Sequence, residues 1–122
     1  MSFFEFSWAD SNIDSIHIEY DCAKLLIWNS VLQKNLVVEC LGLAGITNLC
    51  IWDDTIIMSA NIYSVDKVEN DFLQALYNAY DKDFDYGGRS LNAGLFELKI
   101  ELVNHNSFSV YCQHIEVQEN IK

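Results

Sequence analysis

Asp81, Asp83 and Asp85 occupy every second position of "DKDFDYGG" (81–88), and two glycines follow them. Carboxylates at that spacing open a calcium loop of the EF-hand kind. Such a loop also requires a tight-turn glycine at position 6 and a bidentate glutamate at position 12. Counted from Asp81, position 6 is Tyr86 and position 12 is Asn92. Both diagnostic positions fail, so no metal is expected there. None is expected from the four cysteines either. Cys22, Cys40, Cys50 and Cys112 form no Cys-x-x-Cys pair, and no tight Cys/His spacing of a zinc site is present. They read as small buried hydrophobes in a reducing compartment. Cys112 and His114, two apart on one strand, share a face without a second pair of ligands.

Acid–base or nucleophilic chemistry needs a clustered nucleophile and base. The histidines are His17, His105 and His114, with His105 in a turn and the other two among polar strand neighbours. There is no Gly-x-Ser-x-Gly elbow, phosphate loop or His-Glu-x-x-His. Glu97 and Glu101 flank Lys99 on one strand face, which reads as a charge-alternating solvated surface. The expectation is a protein that is not an enzyme and takes no cofactor. A pocket joining His17 or His114 to a carboxylate would reopen the question.

The net charge of −11 is unevenly placed. Residues 1–21 carry Glu5, Asp10, Asp14, Glu19 and Asp21 and no base, giving −5. Residues 53–85 carry Asp53, Asp54, Asp66, Glu69, Asp71, Asp81, Asp83 and Asp85 against Lys67 and Lys82, giving −6. The two stretches sum to −11, and the rest of the chain is neutral. Phosphate binding requires clustered Lys and Arg, so direct nucleic-acid binding is disfavoured. A basic protein partner fits better.

The elements that must position these groups follow from hydrophobic period. With 122 residues, 51% of them hydrophobic, the chain is expected to form a single domain, 1–122, with one core. No run is long enough for a membrane-spanning helix. The start, "MSFFEFSWADS", lacks a basic leader, so no secretory signal and a cytoplasmic location are expected. Strands are expected at 13–20, 24–29, 36–42, 55–63, 95–103 and 108–117, and a further short strand is expected to follow the glycines of 42–52 and end near Trp52. In 55–63 the alternation is Ile56, Met58, Ala60, Ile62. In 95–103 it is Phe96, Leu98, Ile100, Leu102 inward, with Glu97, Lys99 and Glu101 outward. Gly42 and Gly45, three apart, mark a turn or bulge. In 108–117, Phe108, Val110 and Cys112 share one parity while Ile115 and Val117 take the other, which places a bulge or bend at Gln113–His114.

Only 66–81 has a helical period. Val68, Phe72, Ala75, Leu76, Ala79 and Tyr80 form one stripe, and Asp66 with Glu69 resembles a capping box. The expected fold class is therefore α+β: a mostly antiparallel β meander of about seven strands, with one amphipathic helix (about 66–81) packed on the sheet.

Asp81, Asp83 and Asp85 then fall at the end of that helix, where its dipole disfavours negative charge. Carboxylates that defy a local stability rule without structural gain mark a functional surface. Aromatic rings lie among them, and rings with acids suit a protein interface. The expected partner-binding residues are Asp53, Asp54, Asp81, Asp83, Phe84, Asp85 and Tyr86.

The segments "DSIHIEY" (14–20), "VECLGLAGI" (38–46) and "FSVYCQHIEV" (108–117) resemble the small bacterial immunity proteins of polymorphic-toxin systems. That resemblance implies a cytosolic inhibitor that binds one cognate toxin domain and blocks its active site, and it implies no catalytic residues. The alternative is an accessory or oligomerising structural domain that pairs through an exposed strand.

Overall fold

The computed structural model describes residues 3–47, 55–65, 75 and 94–119. They open with a short 3-10 turn, Phe3–Glu5, and continue as eight strands. These are β1 Asn12–Ile18, β2 Cys22–Asn29, β3 Lys34–Leu41, β4 Gly45–Thr47, β5 Ile57–Ser64, β6 Phe96–Leu102, β7 Ser107–Cys112 and β8 His114–Glu119. All pairings are antiparallel and make two four-stranded sheets, ordered β1-β2-β3-β8 and β4-β7-β6-β5.

This corrects the expected fold class. The chain is mostly antiparallel β in two sheets, not α+β with an amphipathic helix. Among the described residues there is no helix of seven or more residues, only the 3-10 turn. Of the segment 66–81, Ala75 alone is described. Its backbone is helical, but its side chain is exposed rather than laid on a sheet. The other residues of that segment lie outside the described ones.

The expected seven strands become eight because 108–117 is two strands. β7 ends at Cys112, Gln113 bends, and β8 begins at His114 in the other sheet. The parity switch in the sequence thus marks a change of sheet. It also separates Cys112, which is buried, from His114, which is exposed on a different strand, so the expected shared face is lost.

A second bend runs beside the first. β3 leaves one sheet at Leu41 and becomes β4 in the other at Gly45. Leu41 pairs with His114 before the bends, and Gly45 pairs with Tyr111 after them. Three residues (42–44) therefore stand opposite two (112–113), a bulge of one extra residue. Gly42 supplies the left-handed backbone the bulge needs, with φ of 64°. The corner is closed by Gln113 N–H donating to Leu41 O at 3.0 Å and Ala44 N–H donating to Tyr111 O at 2.8 Å.

On the far side the sheets are stitched through their edges. Ile13 N–H donates to Thr55 O and Ile57 N–H to Ser11 O, both at 2.8 Å, around a bridge between Asn12 and Ile56. The β5 alternation expected from Ile56 and Met58 is corrected here. A register shift between Ile57 and Ser59 buries Ile57 and leaves Ile56 and Met58 partly exposed.

One apolar cluster joins both sheets. Ile13, Leu25, Ile27, Leu36, Val38 and Val117 come from one, and Ile57, Leu98, Ile100, Leu102, Phe108 and Val110 from the other. Trp8 closes one end, stacked on Phe3 at 4.9 Å and donating its indole N–H to Phe3 O at 3.0 Å. Asn29 is fully buried, and both its amide nitrogen and its amide oxygen are hydrogen-bonded. Its Nδ2 donates to Ser7 O, and its Oδ1 accepts from Val31 N–H and Leu32 N–H, so one side chain holds the β2–β3 turn to the N-terminal segment.

The corner makes a sharp demand on Gly42. A Cβ there would lie 2.8 Å from Gln113 Oε1 and 2.9 Å from Gln113 Cβ, on a backbone that L-residues resist. Gly42→Ala is expected to cost about 2–3 kcal/mol by urea unfolding. The double variant Gly42→Ala/Gln113→Ala recovers only part of that loss, because the Gln113 Cβ contact and the positive φ both remain.

Candidate functional site

The residues expected to bind a partner, Asp53, Asp54, Asp81, Asp83, Phe84, Asp85 and Tyr86, all lie outside the described residues. All five acids of the first stretch lie among the described residues. Glu5, Asp10, Asp14, Glu19 and Asp21 are all exposed, on β1 and on the segments flanking it. Ile18, Glu19, Tyr20 and Asp21 follow one another at the end of that strand. Ile18 is 49% exposed and Tyr20 69%. Apolar and aromatic groups set among acids were the signal read at 81–88. The same signal stands in "HIEYD" (17–21), where strand alternation by itself would turn Ile18 and Tyr20 to a covered face.

Register extends this surface across the sheet. His17, Lys24, Glu39 and Glu116 are successive cross-strand neighbours on β1, β2, β3 and β8. Alternation turns all four to the outer face, away from the core residues Leu25, Val38 and Val117. At the two edges His17 Nε2 lies 3.2 Å from Glu19 Oε1, and His114 Nε2 lies 3.0 Å from Glu116 Oε1. Lys34 Nζ lies 3.5 Å from Glu119 Oε1. These pairs are solvated and contribute little to stability. Their weight is in the field they present.

Glu97 plays a different part from the one its spacing with Glu101 suggested. Its Oε2 accepts from Ser109 Oγ at 2.6 Å and from Tyr111 OH at 3.3 Å, two donors on the adjacent β7. Ser109 and Tyr111 are both buried. The carboxylate therefore ties β6 to β7, rather than standing free in the charge-alternating solvated face expected of it.

A groove of about 180 Å³ opens beside β8, lined by Phe4, Ile62, Phe96, His114 and Ile115. His114 with Glu116 is a base beside an orienting carboxylate, the arrangement that would reopen an enzymatic reading. The remaining walls are four apolar side chains, and none of them is a nucleophile. The chemistry this groove offers is apolar contact beside one imidazole.

Cys22, Cys40 and Cys112 are free and buried, as expected of small hydrophobes. Cys50 lies outside the described residues. The Cys40 thiol is held protonated well above its ordinary range by a hydrogen bond with the Cys112 side chain and by burial. Burial, then the charge of Glu39, pushes the Cys22 thiol up as well. Among the described residues no group of three or more His, Cys, Asp or Glu is placed to hold a metal ion. Nor is any described helix long and apolar enough to cross a membrane.

No family model, no curated protein and no solved structure matches this chain.

The buried Cys40 has a consequence for alkaline stability. Its folded-state pKa lies above the unfolded value, so its contribution is complete below the ordinary thiol value of 9.0 and is lost as pH rises past it. In that range the unfolded thiol ionises while the folded one does not, and stability falls by about 1.4 kcal/mol per pH unit. Unfolding free energies from urea titrations at several pH values above 9 should fall more steeply for the native chain than for Cys40→Ala, by about that slope. Parallel slopes would contradict it.

Proposed function

We propose that this chain is a non-enzymatic acidic binding protein of the immunity type. In this reading it works in the cytoplasm as an inhibitor that occludes a basic partner, such as a toxin nuclease domain. The observation that carries the reading is the exposure of Glu5, Asp10, Asp14, Glu19 and Asp21, five acids with no base in their stretch, along and beside an edge strand. Carboxylates on β1 and the segments flanking it steer a basic partner and then take positions meant for phosphates on that partner's surface. Ile18 and Tyr20 supply apolar area between them, as the desolvated centre of an interface requires. Asp53, Asp54, Asp81, Asp83, Phe84, Asp85 and Tyr86 belong to the same proposal as a second acidic stretch.

A second reading, an accessory domain that oligomerises through an exposed strand, has its own support. Among the described residues β4 and β8 are each paired along one side only. Sedimentation that depends on protein concentration would favour it.

The primary test begins with capture of the partner from native cells, followed by association kinetics. Asp14→Lys/Glu19→Lys/Asp21→Lys and Asp81→Lys/Asp83→Lys/Asp85→Lys are compared with the native chain. At low ionic strength the set that faces the partner should slow association by about 10–100-fold, and the difference should shrink as salt rises. Unchanged rates for both sets would overturn the proposal.

A further inference from the structure

The sheet β1-β2-β3-β8 turns one face to the core and the other outward. On an antiparallel sheet of that kind the outward face is expected to be polar. Along the two central strands it is not. Leu26 and Trp28 on β2, and Val37 and Leu41 on β3, alternate with the core residues Leu25, Ile27, Val38 and Cys40, so all four point outward. Trp28 is 39% exposed, and Leu26, Val37 and Leu41 are half-buried. Leu26 stands opposite Val37, and Trp28 opposite Asn35, at the middle of the sheet. Apolar area left in water on a sheet face is area that a covering surface gains.

The charges beside this patch say what covers it. The adjoining outward row runs His17, Lys24, Glu39, Glu116 across β1, β2, β3 and β8. One half of the row is imidazole and cation, and the other half is carboxylate. Rotated by a half-turn about an axis that runs along the strands between β2 and β3, such a face meets its own complement. Lys24 of each copy then faces Glu39 of the other, and Leu26 faces Val37. His17 and Glu116 fall opposite each other at the rim, where within the chain they already meet Glu19 and His114. An axis across the strands would instead set Lys24 on Lys24 and Glu39 on Glu39, which like charges oppose. A patch that complements itself under a two-fold axis is what a closed dimer requires.

We infer that a second copy of this chain packs on the outward face of this sheet, with Leu26, Trp28 and Val37 at the centre and reciprocal Lys24–Glu39 pairs beside them. Four strands of six to eight residues make a face of about 500 Å². Two such faces bury about 1,000 Å², the low end of specific interfaces, so the dimer is reversible. It joins sheet faces rather than strand edges, and it is independent of whether the acidic edge engages a basic partner.

The test is sedimentation equilibrium of the full chain from about 1 μM to about 1 mM at fixed ionic strength. The native chain should pass from monomer to dimer, and on dilution its amide shifts should centre on Leu26, Trp28 and Val37. Lys24→Glu and Glu39→Lys each create two like-charged contacts and should weaken self-association by at least about tenfold. Mixed in equal amounts, the two variants should associate about as tightly as the native chain does with itself, because every Lys then faces a Glu across the interface. A variant damaged only in its own fold would not be repaired by mixing. Trp28→Thr should weaken the dimer by about tenfold through lost apolar contact.

A chain that stays monomeric up to about 1 mM overturns the inference, whatever else covers the face. A dimer indifferent to Lys24→Glu and Glu39→Lys also overturns it and points to a strand edge instead. Failure of the two variants to associate on mixing overturns the two-fold arrangement.

Discussion

The geometry of the two described sheets depends on one corner, where Gly42 lies against Gln113. Two neighbouring strands leave one sheet and enter the other side by side, and their ladder survives the turn through the bonds from Gln113 to Leu41 and from Ala44 to Tyr111. A bend of that kind needs an extra residue on one strand and room for the other strand's side chain. Gly42 meets both requirements, with a positive φ and no Cβ to strike Gln113. From that corner follow the facing of the two sheets, the single cluster between them, and the placing of Cys40 and Cys112 within hydrogen-bonding reach of each other.

The opposite seam is held more lightly. β1 and β5 meet only around Asn12 and Ile56, and past that point each runs on without the other. This is why Ile18, on the core-facing parity of β1, is half exposed, and why the first acidic stretch lies along an edge. The same incomplete closure leaves Phe96 and Ile115 at the end of the core with a groove above them. The acidic edge and the apolar groove are thus both products of a two-sheet core that is folded tightly at one corner and left open elsewhere. Binding surfaces are favoured where a rigid scaffold ends and its apolar interior is left partly in water.

Much of this was legible in the residues. The parity of Leu98, Ile100 and Leu102 marks the buried face of β6, and the turn at 103–106 holds His105 with a positive φ between β6 and β7. The parity switch at Gln113 and the glycine pair at 42–45 both mark real bends. That the two bends lie against each other was not legible, because the residues concerned are some seventy positions apart and only strand pairing brings them together. The α+β expectation failed for a related reason. Helical period in 66–81 describes a local preference, while the class of the described fold is set by which strands find partners.

Composition and pattern by themselves determined, for the described residues, strands around one apolar cluster and three cysteines kept as small hydrophobes, and for the chain a charge of −11 divided between two stretches. Those properties are carried by single residues and by near neighbours in the chain. Tertiary structure alone decided that 108–117 is two strands in two sheets, that Glu97 is tied to Ser109 and Tyr111, and that Phe4 meets Ile62, Phe96 and Ile115 in a groove. Each of these depends on contacts between distant segments, and such contacts exist only once hydrogen-bonded register has fixed which residue faces which.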